Sequence, residues 1–303
     1  MFGLREEFDY FQCSACGCLQ IAEIPENLSK YYPANYYSFA GGRPEGRRLS
    51  PIKDAIKTKR LDQVLGKRSL LGSLALTLFG EPELGDHWML DVPLRSDYRM
   101  LDVGCGSGRR PVSWRRSGFT NVTGSDAFIK EEIEYENGVQ ILRKDLRDIE
   151  DRYDFITMVH SFEHMPDQLP TLQAAYRVLN PDRYLVVALP LSSCEAWQVY
   201  GIDWVSLDAP RHIYLHSEAS MKRLAERAGF RVREVIYDST AYQFWGSEQY
   251  RQDIPLMDNE RSYRQNREGS MFSNEQIAAF DERAAELNRE GRGDRARFYL
   301  YKP

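Results

Sequence analysis

The sequence predicts an α/β protein built on a doubly wound, mostly parallel sheet of seven strands. From Arg99 onward, strand-like apolar runs alternate with helix-like amphipathic runs, which is the pattern of a parallel sheet covered on both faces. The first strand ends in a turn with glycine at every second position, and an aspartate follows each of the next two strands. These features predict a ligand site at the carboxyl edge of the sheet.

Strands are predicted at residues 99–103, 122–125, 140–143, 155–159, 184–188, 231–237 and 295–301. Helices are predicted at residues 168–178 and 218–228, the second ended by Gly229. The sequence Ser273-Asn274-Glu275-Gln276 has the capping-box pattern that opens a further helix. Residues 239–294 are therefore a long insertion between the last two strands, and such insertions often contribute to substrate recognition.

The composition is that of a globular protein with a packed core, since 42% of the 303 residues are hydrophobic and 28% are charged. A net charge of −5 disfavours a protein whose main ligand is nucleic acid. Five cysteines, three of them crowded together, do not form a secreted disulfide framework. The residues after Met1 lack the basic start of a signal peptide, so we expect a cytoplasmic protein.

The most apolar stretch, Leu70–Phe79, is too short to cross a bilayer, and no membrane span is expected. We interpret it as a buried helix; the alternative is a helix on a membrane surface or against a partner. Just before it, between Arg43 and Arg68, stand nine Lys or Arg and three Asp or Glu. This pattern favours a solvated helix face over a phosphate-binding patch.

The glycines of the turn after the first strand let the backbone bend tightly and approach a ligand at contact distance. Asp126, after the second strand, can accept hydrogen bonds from a ribose diol. Asp145 offers a polar partner for an adenine amino group, and Leu146 offers an apolar wall. A nicotinamide or flavin dinucleotide site would need glycine where Arg109 stands, so that alternative is disfavoured, as is a tight corner without a ligand.

Residues 99–237 resemble the class I S-adenosylmethionine-dependent methyltransferases. The segment 153–165, which ends in His160-Ser161-Phe162-Glu163-His164-Met165, is similar to the fourth strand and following turn of that family, and Ala228-Gly229-Phe230 to the end of a later helix. The resemblance implies a Rossmann-like methyltransferase fold, methyltransferase activity and S-adenosylmethionine as cofactor. It implies a cofactor site formed by Asp102, Gly104, Cys105, Gly106, Ser107, Gly108, Asp126, Ala127, Asp145, Leu146 and His160.

The chemistry of methyl transfer asks the protein mainly for orientation and exclusion of water. His212 follows the fifth strand and either takes a proton from the acceptor or fixes its loop by hydrogen bonds. Glu163 and His164 are the reserve candidates for acid–base work. His160 and His164 have a spacing that suits a metal, but in this superfamily that turn lines the cofactor pocket, so we predict no metal.

Cys13, Cys16 and Cys18 look like one knuckle of a zinc ribbon. The segments Tyr31-Tyr32-Pro33 and Tyr36-Tyr37-Ser38-Phe39 that follow it, and the segment Pro210-Arg211-His212, resemble methyltransferases associated with bacterial sugar and surface-glycan modification. A closed zinc site needs four ligands, so we interpret the knuckle as a metal-free remnant; otherwise Cys18 and a distant group complete the site.

We divide the chain into a small cysteine-containing unit (1–42), a helical linker or cap (43–98) and a methyltransferase domain (99–303) with its insertion at 239–294. The predicted function is methyl transfer to a small-molecule acceptor, with a sugar or glycan precursor as candidate. The alternative is a catalytically silent binding or scaffold protein. Several aromatic residues of the insertion suit a planar acceptor or else form a core: Tyr242, Phe244, Trp245, Tyr250 and Tyr263.

Overall fold

The computed structural model describes residue 4, residues 6–32 and residues 50–303. The strands are β1 (Tyr10–Gln12), β2 (Leu19–Ile21), β3 (Arg99–Val103), β4 (Asn121–Ser125), β5 (Ile133–Glu134), β6 (Gln140–Leu142), β7 (Tyr153–Val159), β8 (Leu179–Pro190), β9 (Tyr214–Leu215), β10 (Arg231–Tyr237) and β11 (Arg295–Lys302). The helices are α1 (Pro51–Val64), α2 (Leu70–Phe79), α3 (Arg109–Ser117), α4 (Gln168–Val178), α5 (Glu195–Tyr200), α6 (Glu218–Arg227), α7 (Tyr242–Arg251) and α8 (Asn274–Glu290).

The central sheet has the strand order β10-β11-β8-β7-β3-β4-β6-β5. The strands from β8 to β6 are parallel, and β11 runs antiparallel between β10 and β8. The chain leaves β3 toward β4 on one side and later returns to β7 on the other, so the strand order reverses at β3. This doubly wound α/β topology confirms the predicted fold class and places a ligand crevice at the carboxyl end of β3.

All seven predicted strands are present, and the structure adds an eighth, β5, at the edge beyond β6. Two residues are too few to produce a period in the sequence. The strand β8 begins earlier than predicted because Leu179 already pairs with Tyr153, after which the register shifts to Phe155 and Tyr184. Residues 180–183 are thus an irregular part of the strand, with Asp182 at a φ of 57°.

The sheet buries a hydrophobic core on each face. Met100 and Leu101 are adjacent on β3 and fully buried in opposite cores, as the alternation of side chains along a strand requires. Pro111 lies in the first turn of α3, where it replaces a backbone N–H that has no helical partner. The core therefore holds β3 and the turn after it rigidly.

The N-terminal hairpin of β1 and β2 pairs with β9 in a three-stranded sheet. Tyr10 Oη donates to the His212 carbonyl at 2.8 Å. The cysteine-containing unit is therefore joined to the loop that carries His212, and its separation at 42 and 98 stays a prediction. The tyrosine-rich segments that follow the cysteines lie outside the described residues from residue 33 onward.

The prediction that α2 is buried is wrong, although its bounds are as predicted. Leu70 is 91% exposed, and the helix contacts α1 through its small residues, Gly72 and Ala75. A Cβ on Gly72 would approach the Lys59 carbonyl oxygen to 3.0 Å, so the small residue lets the two backbones lie close together. Among the described residues, no helix is both long enough and apolar enough to span a membrane.

The insertion contains α7 and α8, and the capping box at Ser273 and Gln276 is present. Its aromatic rings contact one another in a continuous series: Tyr242, Trp245, Tyr263, Phe272, Phe280 and Phe244. Most of the aromatic residues singled out in the sequence lie in this series, in which Phe244 is buried and the other rings are half-buried.

Candidate functional site

The glycine turn is a tight bend between β3 and α3. Gly104 N donates to the Ser125 carbonyl of the neighbouring strand at 2.7 Å. Gly104 has a φ of +73°, and a Cβ there would lie 2.4 Å from Ser161 Cβ. Gly108, with a φ of +87°, would place a Cβ 2.4 Å from Ile141 Cδ1. Only glycine satisfies both the backbone angles and the space, so the chain can bend tightly at the carboxyl end of β3 and leave room for a ligand beside the bend.

Asp126 lies against the turn, as predicted, and is 8% exposed. Its Oδ2 accepts from Gly106 N and its Oδ1 from Phe128 N, each at 2.9 Å. Burial raises the pKa of this carboxyl, although the backbone N–H donors work against that shift. A carboxylate oxygen accepts two hydrogen bonds, so both oxygens retain capacity for a ribose diol. Ala127, the next residue, is exposed.

Asp102 lies beneath the turn and is fully buried. Its Oδ1 accepts from Thr157 Oγ1 at 2.7 Å, and Arg110 Nη1 lies 3.2 Å from Oδ2. Arg110 Nε also donates to Asp86 Oδ2 at 3.1 Å. Asp102 therefore holds β3, β7 and α3 in place below the ligand crevice. Neither Arg110 nor Thr157 was singled out in the sequence, because the register that pairs β3 with β7 carries no local pattern.

The two residues predicted to contact the adenine ring, Asp145 and Leu146, lie in different environments. Asp145 caps the short helix Leu146–Asp148 and forms an ion pair with exposed Arg147 at 2.8 Å, which lowers the pKa of Asp145. Leu146 is 2% exposed and packs in the core beside Ile149. Both contacts with an adenine ring stay predictions.

His160 comes directly after β7 with a φ of 52°, a strained conformation for a residue with a side chain. Its backbone N donates to the Ala188 carbonyl at 2.9 Å. Ser161 Oγ donates to the Val103 carbonyl at 2.9 Å and so ties the turn after β7 to the turn after β3. The two turns form one ligand edge.

Glu163, His164 and His212 meet beside this edge, and we call them the acceptor cluster. The rings of His164 and His212 lie 4.8 Å apart. His164 Nδ1 bonds to the Arg211 carbonyl at 2.8 Å, and His212 Nδ1 to the Ser206 carbonyl at 2.7 Å. Because a carbonyl can only accept, each Nδ1 carries a hydrogen, and in the neutral ring each Nε2 keeps its lone pair.

Glu163 is fully buried, and neither of its carboxylate oxygens has a hydrogen-bond partner. His160 Nδ1 lies 3.5 Å and His212 Nε2 3.9 Å from Oε1. Burial acts to raise the pKa of Glu163, but the histidines facing it lower it overall. An ionised buried carboxylate without hydrogen bonds is costly, so the two oxygens are available to accept from a donor that binds beside them.

His212 is neutral at neutral pH. Burial and then the neighbouring His164 lower its pKa to about 4, while Asp208 and Glu163 act to raise it. Asp208 Oδ2 lies 3.7 Å from His212 Nε2 and is also paired with Arg211. His212 therefore has a free lone pair between two carboxylates that would stabilise its protonated form.

Ligand atoms of the acceptor cluster lie within 4.8 Å of one another, which is close enough to hold a metal ion. His160 does not belong to this group. In the part of the chain that the structure describes, the three N-terminal cysteines form no comparable group, although Cys18 Sγ lies 3.9 Å from His216 Nδ1. The predicted absence of a metal stays a prediction.

A cavity of about 300 Å³ adjoins the loop that carries His212. Asp208 and Arg211 of that loop line it, together with Tyr250 from the insertion and Tyr31 from the N-terminal unit. Tyr250 Oη is buried without a hydrogen-bond partner. The insertion therefore contributes a polar group to a cavity beside the acceptor cluster.

Residues 68–235 match the family model described as a methyltransferase domain, which is more than half of the chain. The ubiquinone biosynthesis O-methyltransferase of Actinobacillus pleuropneumoniae serotype 5b is 31% identical over 190 residues, covering 50% of this chain and 80% of that protein. The Aeromonas salmonicida protein of the same name is 27% identical over 155 residues, covering 45% of this chain and only 64% of its own length.

A solved structure from Thermotoga maritima, described as an S-adenosylmethionine-dependent methyltransferase and possible histamine N-methyltransferase, is 17% identical with a TM-score of 0.43. It is covered over 83% of its length by 68% of this chain. The matched family model spans the glycine turn, Asp126 and the turn after β7. The chain belongs to the class I S-adenosylmethionine-dependent methyltransferase family.

Proposed function

We propose that this chain transfers a methyl group from S-adenosylmethionine to a hydroxyl group of a small molecule, with His212 as the general base. The observation that carries the proposal is the buried Glu163 carboxylate, which has no hydrogen-bond partner and faces His212 Nε2. A hydroxyl acceptor is protonated at neutral pH and must lose its proton during transfer. The acceptor cluster is suited to remove it.

The glycine turn and Asp126 fit the cofactor, because the bend requires glycine and both carboxylate oxygens keep acceptor capacity. When bound, S-adenosylmethionine supplies a methyl group on a positively charged sulfur. His212 Nε2 accepts a hydrogen bond from the acceptor hydroxyl and then takes its proton. Glu163 and Asp208 stabilise the resulting imidazolium, and the Ser206 carbonyl keeps the ring oriented.

The acceptor is proposed to occupy the cavity beside Asp208 and Arg211, which has both apolar and polar walls. The names of the curated relatives support an oxygen acceptor. The segment Pro210-Arg211-His212 supports a sugar hydroxyl, through its resemblance to glycan-associated methyltransferases. Phenolic compounds and nucleotide-linked sugars are therefore the two acceptor classes to compare.

The test measures transfer of a labelled methyl group to a panel of phenols and nucleotide-linked sugars, with cofactor affinity from titration calorimetry. We expect His212→Gln to reduce transfer by about 100-fold or more, with cofactor affinity within about twofold of wild type. The exposed His87→Gln is the matched control and should change neither. Absence of cofactor binding, or full transfer by His212→Gln, would contradict the proposal. Binding without any transfer would favour the silent scaffold.

A metal at the acceptor cluster is the main chemical alternative, and removal of metal distinguishes it. Arg211 is 3% exposed, and its guanidinium acts at His212 in the direction that disfavours further positive charge. We therefore expect transfer to be unchanged after dialysis against a chelator. Loss of activity that returns on adding zinc or manganese would show that His212 binds a metal instead of a proton.

A further inference from the structure

We propose that the face of α2 that points away from α1 docks on the surface of an anionic lipid bilayer. This exposed face carries four large apolar side chains, each between 56% and 91% exposed: Leu70, Leu71, Leu74 and Leu78. Phe79, in the last turn, is also exposed. Single exposed leucines are common, but four on one face of a short helix form a contiguous apolar patch.

Packing explains why these leucines point to solvent. Gly72 lies against α1, where a Cβ would come within 2.8 Å of Gln63 Oε1, and Ala75 is 7% exposed on the same side. Ser69 caps the first turn, and Arg60 of α1 donates to the Gly80 carbonyl after the last turn at 2.8 Å. Both ends of α2 are therefore fixed, and the buried residues of the helix are Gly72 and Ala75, with Leu76 half-buried beside them.

The charge around this face is complementary to anionic lipid. Residues 50–83 contain six Lys or Arg and four Asp or Glu, so this segment is positive in a chain whose net charge is −5. Asp54 is paired with Arg115, and Asp62 is buried beside Lys59 and Lys67. Glu81 and Glu83 are exposed after the end of α2. Lys67 and Arg68 are exposed immediately before α2. Apolar side chains beside basic ones are typical of helices that lie in a membrane interface.

The dimensions and the charge favour a bilayer surface over the other occupants. Ten residues of helix are about 15 Å long, roughly half of the hydrocarbon thickness, so α2 can lie on a bilayer but cannot cross it. A symmetric contact with a second copy of this chain would place two basic segments against each other, which is unfavourable. A bilayer with acidic headgroups offers an apolar region to the leucines of α2 and negative charge to Lys67 and Arg68.

The test is flotation of the full chain with vesicles of phosphatidylcholine alone or with phosphatidylglycerol added. We expect binding to the phosphatidylglycerol vesicles that weakens in high salt, and at least tenfold less binding for the Leu71→Gln, Leu74→Gln double variant. The matched control, Val199→Gln with Met271→Gln, changes two exposed apolar residues elsewhere and should bind as wild type does. Thermal unfolding verifies that both variants fold.

The proposal is independent of methyl transfer, because binding alone is measured. No flotation of the wild-type chain, or equal flotation of both double variants, would overturn it. Light scattering identifies the competing occupant: a wild-type dimer that dissociates in the Leu71→Gln, Leu74→Gln variant without lipid binding would assign the face to a second copy. A further variant, Lys67→Gln with Arg68→Gln, should lose the binding that phosphatidylglycerol adds over phosphatidylcholine alone.

Discussion

The cofactor edge and the acceptor cluster lie side by side but are built in opposite ways. At the cofactor edge, Asp126 and Asp102 are buried carboxylates with good hydrogen bonds from Gly106, Phe128 and Thr157. In the acceptor cluster, Glu163 is a buried carboxylate with none. The carboxylates of the first region are bonded within the protein, whereas the second region has a buried carboxylate whose oxygens remain available to a donor.

The largest expected effect comes from a substitution in the glycine turn of the cofactor edge. We expect Gly104→Ala to weaken S-adenosylmethionine binding by at least about 100-fold, because the new Cβ would lie 2.4 Å from Ser161 Cβ in a backbone with a φ of +73°. Titration calorimetry measures the affinity. In the control Gly138→Ala the φ is +88° with nothing within 4 Å of the Cβ, so that variant should lose only about 1 kcal/mol of stability. An equal loss of S-adenosylmethionine affinity in the two variants would show that the positive φ, and not the contact with Ser161, causes the effect.

Glu163→Gln tests the part that the carboxylate plays in proton transfer. We expect methyl transfer to fall by about 100-fold, because the variant no longer stabilises the protonated His212. We also expect the melting temperature at neutral pH to fall, because the histidines that face Glu163 lower its pKa and so favour the ionised carboxylate in the folded protein. In the control Glu218→Gln, a carboxylate bonded to Lys222 and Tyr237 is changed, and the melting temperature should fall without loss of transfer. Wild-type transfer by Glu163→Gln would contradict this role of the carboxylate.

Acid should destabilise the protein through its buried histidines. Burial lowers the pKa of both His212 and His216 from 6.5 to about 4. The unfolded chain therefore binds more protons than the folded chain between pH 6.5 and pH 4. Stability that is complete above pH 6.5 is lost as the pH falls through this window, by roughly 3 kcal/mol for each histidine.

Urea unfolding measured across this pH range tests the prediction. His216→Gln should flatten the dependence by about one proton, whereas His87→Gln, at an exposed site, should leave it unchanged. A free energy of unfolding that stays constant between pH 6.5 and pH 4 would show that both histidines keep an ordinary pKa in the folded state.

The smallest effect concerns Tyr250. If its unpartnered hydroxyl bonds the acceptor in the cavity, Tyr250→Phe should raise the KM of the acceptor about fivefold and leave kcat unchanged. Tyr200→Phe is the control, since Tyr200 Oη donates to Glu248 Oε1 at 2.9 Å and should affect stability instead of KM. An unchanged KM for Tyr250→Phe would remove Tyr250 from the acceptor site.

The sequence by itself determined the α/β class, the seven main strands, the glycine turn and the position of Asp126 beside it. These features depend on local period, on glycine backbone freedom and on the rule that parallel strands end at one edge. It also identified Glu163, His164 and His212 one by one as candidates for acid–base work.

Only the tertiary structure decided how those residues meet. Glu163 and His212 are 49 positions apart in the numbering and come together because the turn after β7 and the loop before β9 lie at the same edge. The orientation of α2 also depends on packing. Its hydrophobicity predicts that the leucines are buried, but the helix lies so close to α1 that Gly72 and Ala75 are buried and the leucines face solvent. The local sequence determines whether a side chain is apolar, polar or charged and which backbone angles it favours. Its contacts in the fold depend on strands and helices that are distant in the sequence.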